Sequence, residues 1–295
     1  MNTLKRFILK FLNACILFSE NFKKKIPVTI PVFNGNLLDG RTALITGGTQ
    51  GIGFAVADAF VKNNAAVVIT GRNLERINTA LNALKSGNPG KSDKIFGIVM
   101  DVSKPELFDA KIDEISRLIG GQKIDILVNN AGIMRGSFEN ATENDFNEVL
   151  NTNVKGTFFL SRTMAKYMVK NKIAGNILNV ASSSSLRPAI SPYTLSKWSI
   201  RGMTMGLAKS LIKYNIVVNG IAPGPTATPL LVNPMQESIS CKESPSKRFA
   251  TSQEIANMAV VLTSDLGKMV VGDIVYMTGG CGNLTYDDIN YDINL

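Results

Sequence analysis

No histidine occurs among the 295 residues. That absence excludes Ser-His-Asp and Cys-His catalysis, together with histidine-held zinc or iron. Cysteine is scarce too: Cys15, Cys241 and Cys281 are far apart and form no C-x-x-C pair. Neither a disulfide framework nor a cysteine zinc site is expected, so the sequence calls for no metal and fits a reducing, cytoplasmic compartment. Apolar runs are short. The longest candidate near the start is broken by Lys5, Arg6, Lys10 and Asn13, too often for a membrane-crossing helix. What is present is ordinary for a folded protein: 45% hydrophobic and 19% charged residues, which excludes extensive disorder.

The net charge of +9 is unevenly spread. Residues 1–36 carry Lys5, Arg6, Lys10, Lys23, Lys24 and Lys25 against Glu20, leaving +5 there and +4 over the other 259 residues. Nucleic acid is not an expected partner, because the excess sits in an extension with no zinc-finger or RNA-binding motif. Leu4, Phe7, Ile8, Phe11, Leu12 and Cys15 follow helical spacing. Three readings of this segment stay open: a basic amphipathic helix touching a membrane surface through residues 1–20, a helix packed on the core or on another subunit, or a signal or anchor.

From about residue 39, short apolar runs alternate with helical periodicity. Strands are expected at 42–46, 67–70, 95–100, 124–129, 176–181, 216–221 and 274–277. Ile52, Ala55, Val56, Ala59 and Phe60 mark one amphipathic helix between them. Leu74, Ile77, Leu81 and Leu84 mark a second, and Phe108, Ile112, Ile115 and Ile119 a third. The pattern predicts an α/β fold, a doubly wound parallel sheet of about seven strands in a single domain. That domain is expected over 37–280, between the 1–36 extension and a 281–295 tail whose acidic end suits disorder or a subunit contact.

Residues 46–53 read Thr-Gly-Gly-Thr-Gln-Gly-Ile-Gly, between the first strand and the first helix. Glycines there permit a tight turn and close approach of an anionic ligand, and the helix start offers free N–H groups to a pyrophosphate. Thr70-Gly71-Arg72-Asn73 ends the second strand with a base where a carboxylate would bind the ribose of NAD. Arg72 therefore predicts NADP over NAD. Tyr193 and Lys197, at i and i+4, share a helical face. The ammonium is expected to favour the phenolate and draw the phenol below its usual pKa of ~10.

The T-G-x-x-x-G-I-G pattern, Asp101-Val102, Asn129-Asn130-Ala131-Gly132, Asn153-Val154-Lys155-Gly156, Tyr193-x-x-x-Lys197 and Pro223-Gly224 with Thr228 fall in the order found in the short-chain dehydrogenase/reductase family. The chain resembles that family over roughly 37–280. The resemblance implies hydride transfer between NADP(H) and a small carbonyl or alcohol substrate, with no metal. Gly47, Thr49, Gln50, Gly51, Ile52 and Gly53 would cradle the cofactor, although many NADP-using relatives carry a base at the Gln50 position. Asp101 and Val102 would lie at the adenine. Asn130, Ala131 and Gly132 would lie along the cofactor, and Pro223, Gly224 and Thr228 would border the nicotinamide. The Asn129-Asn130 pair also suits a plain strand-end cap.

Tyr193 would then act as general acid or base, and Lys197 would also hold the nicotinamide ribose. Asn153 would help hold a relay water; the alternative is an ordinary helix asparagine. Ser182 would position the carbonyl, yet it precedes the tyrosine by eleven residues where thirteen is usual, and Ser183 is the second choice. Residues 230–249 are expected to form a substrate lid. Cys241 within it suits a chance loop cysteine with no neighbouring base. Family habit implies a homodimer or homotetramer. Two alternatives accompany the oxidoreductase: a cofactor-binding regulatory protein without turnover, and a membrane-associated reductase of lipid or surface-sugar precursors.

Overall fold

Unbroken apolar runs such as Thr42–Thr46 leave a strand no polar face, so both sides must be covered. The computed structural model, which describes residues 35–228, 239–286, 289, 291 and 292, meets that demand with a seven-stranded parallel sheet. Its strands are β1 (Thr42–Thr46), β2 (Ala66–Gly71), β3 (Ile95–Val99), β4 (Ile126–Asn129), β5 (Asn176–Val180), β6 (Val217–Pro223) and β9 (Ile274–Met277). Their order is β3-β2-β1-β4-β5-β6-β9. The seven expected strands are all present, with ends shifted by at most two residues. The 1–36 extension lies outside the described residues up to residue 34.

Successive side chains of β1 face opposite layers. Ile45 packs into a core with Val56 and Phe60 of α1 (Gly51–Lys62) and with Ile255 and Ala259 of α7 (Ser252–Thr263). Leu44 packs on the other side with Ile112 and Ile115 of α3 (Phe108–Leu118) and Met164 of α5 (Thr157–Lys170). Full burial of a side chain like Phe60 stabilises the fold by about 1.5–3 kcal/mol. In α2 (Leu74–Gly87) the expected stripe is only partly buried. Ile77 and Leu84 are covered, whereas Leu74 in the first turn is exposed.

Strand order reverses between β1 and β4, so the connections from these neighbours leave in opposite directions. The space beyond their C-terminal ends is where such sheets bind ligands. Three further features frame it. Helix α4 (Glu143–Leu150) runs into a wide π turn, Asn151–Gly156, before α5 begins. Helix α6 (Pro192–Leu211) starts with a capping box between Ser191 and Thr194. A two-residue parallel pair, β7 (Thr226–Ala227) with β8 (Ala250–Thr251), ties the base of the expected lid to the start of α7.

Residues 229–238 of that lid lie outside the described residues. Its remainder is held down by a bidentate Arg248–Glu254 pair, with bonds of 2.8 and 2.6 Å. The Arg248 hydrogen bonds draw the Glu254 carboxyl down to about 2. After β9 the described chain turns back on itself. Gly279, Gly280 and Gly282 adopt positive φ and reverse its direction, Cys281 is fully buried, and Cys281 bridges Thr285.

Candidate active site

A cleft of about 930 Å³ lies at the strand ends. One end of it is set by the turn between β1 and α1. Gly51 has φ +57°, a conformation that L side chains rarely adopt, and faces the Thr228 methyl group. A β-carbon on Gly53 would collide with the Gly47 carbonyl and the Asn130 amide, so the first turn of α1 can press against the strand end only as glycine. Side chains cap α2 (Asn73), α4 (Thr142), α6 (Ser191) and α7 (Thr251), whereas Gln50 at the start of α1 gives no side-chain cap. The N–H groups of that first turn are thus left to an outside acceptor, at the positive end of the helix dipole. A diphosphate fits this cradle by shape and by charge.

Thr46 and Asn130 lock the turn in place. The Thr46 hydroxyl accepts from the backbone N–H groups of Asn130 and Ala131, both at 3.0 Å. Asn130 Nδ2 donates to the carbonyls of Thr46 (2.9 Å) and Gly47 (3.1 Å). Of the two roles open to Asn130, its side-chain amide group performs the strand-end one, while the residue also borders the cleft. Arg72 is exposed at the rim and is joined there by Arg76, one helical turn into α2. Asp101 Oδ1 accepts from the backbone (2.9 Å) and hydroxyl (2.8 Å) of Ser103, which fixes its loop.

Three of the expected site residues come together on the cleft. Tyr193 opens α6 and is hydrogen-bonded to the Ser182 side chain, which leaves Ser182 rather than Ser183 facing the phenol. The shortened connection therefore still delivers the hydroxyl, because residues 183–186 turn as a tight 3₁₀ segment. Lys197 is buried; its Nζ donates to the Val180 carbonyl at 2.9 Å and lies 5.5 Å from the Tyr193 ring centre.

The pKa expectation for Tyr193 is reversed. Burial pushes the phenol above its ordinary value and outweighs the Ser182 hydrogen bond, which acts the other way. The same burial pulls the Lys197 ammonium down to about 8. Spacing alone gave the ammonium's proximity but not the loss of water around both groups.

Asn153 lies in the π turn and is fully buried. Its Oδ1 accepts from the Ile133 N–H at 2.9 Å; its Nδ2 donates to the Ile133 carbonyl at 3.0 Å and to Ser196 Oγ at 3.0 Å. Ser196 in turn donates to the Tyr193 carbonyl at 2.6 Å. Asn153 therefore ties the loop after β4 to the tyrosine-bearing helix, which is more than an ordinary helix asparagine does.

Of the expected site residues, Gly47, Thr49, Gln50, Gly51, Ile52, Arg72, Asp101, Val102, Asn130, Ala131, Gly132, Ser182, Tyr193, Lys197, Pro223, Gly224 and Thr228 all border the cleft. Gly53 and Asn153 stand behind its wall. Cys241 is buried beside the cleft and donates from Sγ to Glu243 Oε2 at 3.7 Å, so it does have a carboxylate neighbour, brought close by the 241–246 turn. Phe249, the last residue of the expected lid, lines the cleft, and so do Arg76, Met134, Phe138, Arg187, Ile190 and Ile289, which were not expected. Arg76 carried a signal, a second base four residues after Arg72. The others carry no local pattern.

The family model described as short chain dehydrogenase matches residues 41–238. A gluconate 5-dehydrogenase of Gluconobacter oxydans is 33% identical over 250 residues, covering 82% of this chain and 95% of that protein. A 3alpha-hydroxysteroid dehydrogenase of Mediterraneibacter gnavus is 35% identical over 253 residues, covering 82% and 97%. Among solved structures, a gluconate 5-dehydrogenase from Burkholderia cenocepacia in complex with NADP and tartrate superposes with a TM-score of 0.73. It is 32% identical over 83% of this chain and 96% of that one.

Proposed function

The chain belongs to the short-chain dehydrogenase family and is an oxidoreductase; from that premise we propose that it interconverts a small carbonyl compound and its alcohol with NADP(H), using Tyr193 as the proton-exchanging group. The observation that carries this proposal is the convergence of Ser182, Tyr193 and Lys197 on the same cleft as the uncapped start of α1. NADP(H), when bound, supplies or accepts the hydride. The first turn of α1 would hold its diphosphate, and Arg72, with Arg76, would meet the 2′-phosphate. Support for NADP over NAD comes from these two bases and from the bound NADP of the Burkholderia relative.

Tyr193 remains a protonated phenol through the neutral range, since burial holds its pKa high. It can therefore donate a proton to a carbonyl oxygen that the Ser182 hydroxyl also holds. Lys197 stands behind the phenol as the nearest cation and lends a proton path toward the cleft. Asn153 is a positioning residue that fixes the Ile133 backbone and, through Ser196, the start of α6. A cofactor-binding protein without turnover is not favoured, because binding alone gives no reason to bury a tyrosine beside a serine and a lysine.

The proposed catalytic domain spans 37–280, with the glycine turn that follows packed onto it. A homodimer or homotetramer in the cytoplasm, with residues 1–20 touching a membrane surface, completes the proposal; its support is the family resemblance and the basic amphipathic sequence. Tyr193→Phe tests the central role. Turnover should fall by about 10²–10⁴-fold while NADPH affinity, read by nucleotide fluorescence, stays unchanged. Near-normal turnover in that variant would overturn the proposal.

A further inference from the structure

The half of the cleft beyond Tyr193 is walled by Met134 and Phe138 from the loop after β4, Ile190 before α6, Phe249 from the lid base and Ile289 from the C-terminal segment. Phe138 is 62% exposed and Met134 47%, so large apolar side chains stand uncovered at the mouth. Several of the polar groups beside them are already engaged. Ser191 and Thr194 cap α6 with each other, the Thr226 hydroxyl donates to the Gly224 carbonyl, and Glu243 accepts from Cys241. Charge follows the same pattern. Among the described lining residues at this end, the cations are Lys197, which donates to the Val180 carbonyl, and Arg187, which is buried and already interacts within the chain. The Glu243 carboxylate would repel an anion.

Resting on the carbonyl-reductase reading above, we infer that the substrate is an uncharged ketone with an apolar carbocyclic body, or the matching alcohol, and not a polyhydroxy acid. A polyhydroxy acid needs a row of free hydrogen-bond partners and a counter-ion to replace its water. The described residues of this wall offer mainly hydrocarbon, which rewards removal of an apolar body from water.

The full-length protein saturated with NADP⁺, which cannot transfer hydride to a ketone, allows binding to be measured apart from turnover. Calorimetric titration should show trans-1-decalone binding at least about tenfold more tightly than 5-keto-D-gluconate. Phe249→Ser and Phe138→Ser should each weaken decalone about fivefold to tenfold and leave the sugar acid unchanged. Phe138 is exposed enough that its variant keeps the fold, which circular dichroism verifies. Equal or tighter binding of 5-keto-D-gluconate, or wild-type decalone affinity in both folded serine variants, would overturn the inference. Nicotinamide absorbance with NADPH then separates the two layers. Decalone binding with no consumption of NADPH on any ketone sinks the reductase reading and leaves the apolar site standing. Turnover of 5-keto-D-gluconate without decalone binding does the reverse.

Discussion

At the proposed nucleotide end of the cleft, the lining comes from strand ends and the turns that follow them: 47–52, 70–72, 100–102 and 130–132. At the opposite end it comes from residues far apart in the chain, on the 133–138 loop, the 187–191 connection, the lid base and the C-terminal segment. The first end is built around a glycine turn, and the second around large side chains. Backbone recognition needs particular conformations, so it fixes residue types such as glycine at fixed spacings. Side-chain walls need only shape and polarity, which many residues supply. One fold therefore keeps a constant nucleotide end while its substrate end is free to diverge.

Charge reversal at the nucleotide rim should give the largest effect. Arg72→Glu is expected to weaken NADPH about 100-fold, since it removes charge-assisted hydrogen bonds and adds repulsion, and to change NADH only a few-fold. Equal losses for both nucleotides would show that backbone alone selects the cofactor. Gly53→Ala should destabilise the protein by about 1–3 kcal/mol through overpacking, read as a lower midpoint in urea. Phe138→Ala, at the other end, should cost less than about 0.5 kcal/mol. Similar costs at the two positions would erase the contrast between the ends.

Lys197 gives a finer test, because one titration should move rate and stability in opposite directions. Carbonyl reduction should decline as pH rises through about 8, where the buried ammonium loses its proton. The folded pKa lies below the ordinary 10.5, so between about 8 and 10.5 the unfolded chain binds more protons than the folded one. This residue's contribution to stability must therefore rise over that window. A pH series of rates and denaturation midpoints on wild type and Lys197→Met would check both slopes.

A modest effect belongs to the lid base. Arg248→Ala should cost about 0.5–1 kcal/mol, for a partly exposed pair. The contribution of Glu254 is full above its ordinary 4.5 and is lost as pH falls toward about 2. Acid unfolding of the variant should accordingly lose part of its pH dependence in that range.

Much of the nucleotide end was legible in the sequence for a physical reason. A buried strand, a glycine turn and an amphipathic helix are local patterns, and Tyr193 with Lys197 is a local spacing. Ser182 was legible despite its short interval, because the end of β5 delivers it whatever the loop length. The direction of the Tyr193 pKa was not legible, since burial is a property of the assembled site. Nor was the hydrogen bonding of Asn153, whose partners lie twenty residues before it and forty-three after. The apolar wall was the least legible of all. Phe138, Ile190, Phe249 and Ile289 belong to no shared period, and only the topology brings them together.

The π turn at Asn151–Gly156 has a consequence for how this protein tolerates change. One surplus residue in a helical path offsets everything after it by about 100° relative to a regular α-helix. The face that α4 turns toward α6 and the face that α5 turns toward the sheet are both satisfied only with that offset in place. Removing a single residue from this hexapeptide would restore regular winding and rotate α5 out of its seat. A deletion there is thus expected to be far more damaging than any one replacement.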